Sequence, residues 1–123
     1  MKSKILHVGI MSKQEYKKRT IAIAKGEYTP KRNEPKIWFE SMKSMAQILS
    51  NENQTLLKTI VDKKPKSITE LEELTGRKKS NLSRTLKTLE RYGIVDLIKE
   101  KKTVVPIVKA TDFRVEFGLE GAA

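Results

Sequence analysis

Residues Ser67 to Val108, SITELEELTGRKKSNLSRTLKTLERYGIVDLIKEKKTVVPIV, constrain this chain more than any other segment. Ser67 reads as a helix N-cap, and Glu70 stands three residues on, the spacing of a capping box. Ile68, Leu71 and Leu74 recur at i, i+3 and i+6 and predict the inner face of a short helix. Gly76 supplies the positive φ that a sharp turn needs. A second helix is predicted from about Ser80 to Tyr92. Two short helices joined by a tight Gly-containing turn match a helix-turn-helix. Ile94–Lys99 and Thr103–Val108 then read as two strands around a tight turn at Glu100-Lys101-Lys102, with Pro106 marking an edge strand.

The second helix divides cleanly by angle. At 100° per residue with Leu86 at 0°, Leu82 falls at about −40° and Leu89 at about −60°, so the buried face centres near about −35°. Opposite it lie Ser80 at about 120°, Arg91 at about 140° and Arg84 at about 160°. Lys87, Thr88 and Asn81 flank them at about 100°, 200° and 220°, and Glu90 stands aside at about 40°. The outward face therefore holds Ser, Asn, Arg, Lys and Thr and no acid. A merely solvated helix face usually mixes signs. One-signed donors at a helix-turn-helix suit phosphates and base edges in the major groove.

Charge supports the same direction. The 123 residues carry 26 Lys+Arg against 15 Asp+Glu, a net charge of +11 that points to a polyanionic partner. Residues 1–40 have 10 basic and 4 acidic side chains, residues 41–75 have 5 and 5, and residues 76–123 have 11 and 6. Nine of those last 11 basic residues fall between Arg77 and Lys102, which places Lys99, Lys101 and Lys102 at a basic hairpin tip.

Other classes are disfavoured. Cys is absent, which excludes disulfides and thiolate metal sites and fits a reducing cytoplasm. A single histidine, His7, offers no basis for a His-centred triad or multi-His metal site, and it reads as a packed or surface imidazole. No paired carboxylate motif or Gly-rich phosphate loop is present, so no enzymatic activity, catalytic residue, metal or cofactor is expected. No run approaches about 18 apolar residues, so no membrane span is expected. The N-terminus lacks the pattern of a signal peptide.

The flanks read as an extension. Lys4–Ile10 is a β-branched run that predicts a strand. Ser12 and Glu15 form a capping box for a helix over Lys13–Lys25, with Tyr16, Thr20, Ile23 and Ala24 on one face and Gly26 as C-cap. Residues 26–35, with Gly and two Pro, read as a loop, and Lys36–Glu40 as a short strand holding Trp38 and Phe39. Ser41 opens a helix with a Met42/Met45/Ala46/Leu49 stripe. Asn51 or Asn53 caps the next helix, which turns Leu56, Leu57, Ile60 and Val61 inward. Phe113–Leu119 alternates as a half-buried strand, with Lys4–Ile10 as its expected partner in the same chain or a second copy. The expected organisation is α+β: an N-terminal β-α(-β) extension over 1–40, a winged helix-turn-helix domain over 41–109, and a C-terminal strand and tail over 110–123. A homodimer is expected, its interface drawn from Ile5, Val8, Tyr16, Ile23, Trp38, Phe39, Phe113, Val115 and Phe117.

SITELEELTGRKKSNLSRTLKTLERYGIV resembles the helix-turn-helix of MarR-type winged-helix regulators in order, spacing and turn glycine. Over about residues 1–119 the chain is similar to a prokaryotic group of small MarR-like DNA-binding proteins, many described as antitoxins. The KIWFES segment and the terminal alternating strand carry that likeness. The resemblance implies a sequence-specific double-stranded DNA-binding repressor, and an antitoxin that pairs with a cognate toxin and regulates its own operon. It implies base reading by Ser80, Asn81, Arg84, Lys87 and Thr88. Phosphate or wing contacts would come from Ser67, Arg77, Lys78, Lys79, Arg91, Lys99, Lys101 and Lys102. A ligand-pocket signature is missing, so small-molecule sensing is not expected. The alternative is a basic RNA- or ribosome-associated module. Single-strand RNA readers show exposed aromatics on a sheet, whereas most of the seven aromatics here fall at expected core positions.

Overall fold

A computed structural model describes residues 4–119. The architecture is mixed α+β. In chain order it runs β1 (Ile5–Ile10), α1 (Lys13–Ala24), β2 (Ile37–Phe39), α2 (Met42–Ile48), α3 (Asn51–Lys63), α4 (Ile68–Thr75), α5 (Lys79–Arg91), β3 (Val95–Glu100), β4 (Thr103–Val108) and β5 (Asp112–Glu116). The chain divides into two compact units, one of residues 5–47 with 112–119, the other of residues 48–111 with Lys4. None of the described helices is long and apolar enough to cross a membrane.

The first unit is a three-stranded parallel sheet in the order β2-β1-β5. The terminal strands thus pair within one chain. Parallel neighbours need a long crossover, and α1 with the loop after it supplies the one from β1 to β2. Gly9 sits mid-strand opposite Trp38, and a Cβ there would meet the indole at 2.5 Å and Pro35 Cγ at 2.9 Å. Glycine is what lets the ring lie across β1. His7 stands beside β5, with Nδ1 3.3 Å from Arg114 Nη2 and Nε2 3.1 Å from Glu116 Oε1. A guanidinium only donates, so Nδ1 accepts and Nε2–H donates to Glu116, a structural role for the lone histidine.

The loop over 26–35 is pinned. The Glu34 side chain is buried and accepts from the Lys31 N–H at 2.8 Å, from Arg19 Nη2 at 3.3 Å and from the Tyr28 hydroxyl. Burial pushes its carboxyl up, but the bonds from Tyr28, Lys31 and Arg19 outweigh this and hold it below the usual range. The Arg19 guanidinium also lies 5.3 Å from the Trp38 ring centroid and 5.9 Å from that of Tyr28.

Several expectations need correction here. Val8 and Phe39 are fully buried within the chain, so neither is available to a second copy. Trp38 and Ile23 are half-buried. The face of α1 turned inward is Arg19, Ala22 and Ile23, whereas Tyr16, Thr20 and Ala24 are exposed, because the Arg19 cluster replaces the apolar stripe. Lys25 is the C-cap of α1. Gly26 follows it at φ 77, with its N–H on Ile23 O and the Glu27 N–H on Ala22 O, a Schellman arrangement. Met42 and Ala46 are exposed, so the α2 stripe is not a buried face. β5 stops at Glu116, and Phe117 and Leu119 lie beyond it, exposed.

The second unit builds its core from Leu56, Leu57, Ile60, Ile68, Leu71, Leu82, Leu86, Leu89, Ile94, Val95 and Val108. Ser50 caps α3 through the Asn53 N–H, in place of Asn51 or Asn53. Asn53 instead spends its amide on Ile48 O. Ser67 caps α4 as expected, accepting from the Glu70 N–H at 3.0 Å, while the Glu70 carboxylate reaches the Lys66 N–H. Leu74 is 43% exposed. A spacing of i, i+3, i+6 advances about −60° per step, so by its third member the stripe has rotated out of the core.

Candidate functional site

Gly76 ends α4 in the left-handed region at φ 74, its N–H on Glu72 O at 2.8 Å. The turn over residues 76–78 follows, and α5 begins without a side-chain N-cap. The Glu72 carboxylate substitutes, accepting from the Lys79 N–H at 3.0 Å and placing an anion at the positive end of α5. Leu82, Leu86 and Leu89 are each fully buried, which fixes the rotation of the helix.

That rotation leaves Ser80, Asn81, Arg84, Lys87 and Arg91 exposed together on α5. Thr88 is half-buried and its hydroxyl donates back to Arg84 O at 3.2 Å, so its hydrogen is already used. Lys78 and Lys79 are exposed at the start of the helix, and Lys79 Nζ rests 3.3 Å from Thr69 Oγ1. Ser67 lies at the start of α4, its hydroxyl oxygen engaged in capping. The β3–β4 hairpin follows α5 directly, in antiparallel register from Val95↔Val108 to Glu100↔Thr103. Its tip is only Lys101 and Lys102, one residue shorter than expected, because Glu100 belongs to β3. Lys101 takes φ 48, and Lys99, Lys101 and Lys102 are all exposed. Among the described residues no ion pair holds Lys78, Lys79, Arg84, Lys87, Arg91, Lys99, Lys101 or Lys102. The result is a donor-rich, acid-poor face on α5 followed in the chain by a basic turn.

Arg77 departs from its expected role. Four hydrogen bonds hold its guanidinium inside the unit. Nε and Nη2 donate to Asn81 Oδ1 at 3.0 and 2.8 Å, Nη2 also donates to Thr85 Oγ1 at 3.2 Å, and Nη1 donates to Asn53 Oδ1 at 3.2 Å. Arg77 thus ties α3 to α5 through four hydrogen bonds of its guanidinium. The sequence carries no periodic signal for this hub. An Arg four residues before an Asn was the only hint, at the i, i+4 spacing of side chains that meet on a helix. The Arg19–Glu34–Tyr28 cluster was equally invisible. An apolar cleft of about 320 Å³ also opens between the end of α3 and β4, its lining including Ile60, Val61, Lys64, Pro65, Val105 and Ile107.

No curated protein and no solved structure matches the chain. A family model, HVO_A0114, matches residues 48–115, which takes in the whole of α3 to β4 and most of β5. That match spans more than half of the sequence, and the chain belongs to the HVO_A0114 family.

Proposed function

We propose that this protein is a sequence-specific double-stranded DNA-binding regulator of the MarR-like winged helix-turn-helix type. In this reading α5 is the recognition helix and the β3–β4 hairpin is the wing. The observation that carries it is the one-signed outward face of α5, fixed in rotation by Leu82, Leu86 and Leu89. Ser80, Asn81, Arg84 and Lys87 would meet base edges, and Lys78, Lys79, Arg91, Lys99, Lys101 and Lys102 the backbone. A helix of this length reads few base pairs, and pairing two half-sites about one helical turn apart supplies the rest of the affinity. The protein therefore acts as a homodimer. With Val8 and Phe39 internal, the residues left for a second copy are Ile5, Tyr16, Ile23, Trp38, Phe113, Val115 and Phe117, of which Ile5, Tyr16, Val115 and Phe117 are exposed and the other three half-buried. The biological setting is a cytoplasmic repressor that acts on its own promoter, as the antitoxin of a toxin–antitoxin pair.

The test is binding by full-length protein to its own promoter, to random duplex and to RNA of equal length. Preference for the promoter duplex over both is expected. Equal or tighter binding to RNA would replace this reading with an RNA- or ribosome-associated role. Sedimentation at micromolar concentration should give about twice the 14.1 kDa chain mass.

A further inference from the structure

We infer that Asn81 reads a base edge made only of acceptors, guanine before any other, because Arg77 has already occupied the accepting half of its amide; the inference rests on the DNA-binding reading above. An asparagine amide has two faces of opposite character. Its oxygen accepts through two lone pairs, and its nitrogen carries two donors. A free Asn uses both to grip adenine, donating to N7 and accepting from N6–H. Asn81 is not free. Two N–H groups of Arg77 converge on Oδ1 at 3.0 and 2.8 Å, which accounts for both lone pairs. The assignment does not depend on telling oxygen from nitrogen in the amide. A guanidinium has donors only, so the atom it meets twice is the oxygen.

Arg77 is itself held by several partners. Its N–H donates to Thr75 Oγ1 at 3.2 Å, directly after the Gly76 turn. Two further guanidinium donors go to Asn53 on α3 and Thr85 on α5. Swinging Asn81 Oδ1 towards a base would strand a guanidinium that is already partly shielded from water. The amide is therefore presented with Nδ2 as its only unspent edge. Asn81 is exposed in the first turn of α5, the part of such a helix that reaches base edges. In the major groove a donor-only group meets guanine O6 and N7 together. It meets a single acceptor on adenine or thymine, and the N4–H₂ donor of cytosine opposes it. Arg77 is thus a positioning residue that sets specificity through Asn81.

The experiment is selection of preferred sites from a randomised duplex library by full-length wild type, Asn81→Ala, Asn81→Asp and Arg77→Met, with circular dichroism on each variant. Wild type should enrich a site in which one pair loses its preference in Asn81→Ala. That pair should carry guanine, and replacing it by adenine should weaken wild-type binding by about tenfold, the scale of one good base contact. Arg77→Met frees Oδ1 and should move the preference to adenine. Asn81→Asp keeps the Arg77 contact as an ion pair and presents an acceptor, so it should move the preference to cytosine. If Arg77→Met fails to fold, the wild-type choice between guanine and adenine at the Asn81-dependent pair decides the matter. Adenine or cytosine as the wild-type choice at the Asn81-dependent pair would overturn the inference and leave the DNA-binding reading intact. So would Asn81→Ala relaxing no pair, or unchanged preferences in both of the other variants. Failure of wild type to enrich any duplex would overturn both.

Discussion

Raising the salt concentration should weaken DNA binding steeply, and the structure sets how steeply. Eight exposed cations lie along α5 and the hairpin without an ion pair among the described residues: Lys78, Lys79, Arg84, Lys87, Arg91, Lys99, Lys101 and Lys102. Arg77 is left out because four hydrogen bonds to Asn53, Asn81 and Thr85 hold its guanidinium in place. Arg84 and Lys87 point where bases would be, and not every lysine on a rigid surface reaches a phosphate at once. About four phosphate contacts per chain, or about eight per dimer, give a log–log slope of about −7 at −0.9 per contact. Between 50 and 200 mM salt that is a loss of about 10⁴ in affinity. Fluorescence anisotropy with a labelled promoter duplex measures it directly. Lys101→Ala removes one contact per chain, so the dimer's slope should flatten by about 1.8, and binding to random and specific duplex should weaken alike. Arg84→Ala should instead cost about 1–3 kcal/mol on the specific site, with a smaller loss on random duplex. A wild-type slope shallower than about −3, or a slope that Lys101→Ala leaves untouched, would refute the use of this charge argued above.

Three further outcomes test the fold. Gly9→Ala should destabilise the protein by about 1–3 kcal/mol in urea melts, because the new methyl overlaps the Trp38 ring and Pro35; an unchanged midpoint would mean that the ring moves freely. Lys64 closes α3 in the left-handed region at φ 45, so Lys64→Gly should stabilise by about 1 kcal/mol by relieving a conformation that side chains disfavour. Glu34 has its carboxyl held below the usual range, so its contribution is fully present above the ordinary glutamate range and is lost as pH falls through the lowered value. The melting temperature of Glu34→Gln should therefore lie below wild type at neutral pH and converge on it as the pH is lowered towards 3. A gap that stays constant would show that the ionised carboxylate is not what the loop uses.

The second unit was the more legible in the sequence, and the reason is local. Caps, turn glycine and a 3.6-residue apolar period act within a few residues of each other, so Ser67, Gly76 and the Leu82/Leu86/Leu89 stripe could be placed without tertiary information. The basic hairpin tip was found for the same reason, as was the run of α1 from its Ser12 cap. Leu74 shows the limit of that logic. Three apolar residues at threefold spacing satisfy a pattern but precess round the helix, and only the packed neighbours settle where burial ends.

By itself the sequence determined the helix and strand segments, their order, the inward face of α5 and the sign of its outward face, because each follows from backbone preferences and spacing along the chain. Only the tertiary structure decided that β1 and β5 join as parallel neighbours of one chain and that Gly9 makes room for Trp38. Only it showed that Arg19 replaces an apolar stripe beneath α1, and that Arg77 is claimed by α3 and α5. Each of these depends on a polar or aromatic side chain meeting partners brought together from other elements. A guanidinium looks the same in sequence whether it will face a phosphate or an asparagine; the donors and acceptors that converge on it are fixed only when the chain has folded.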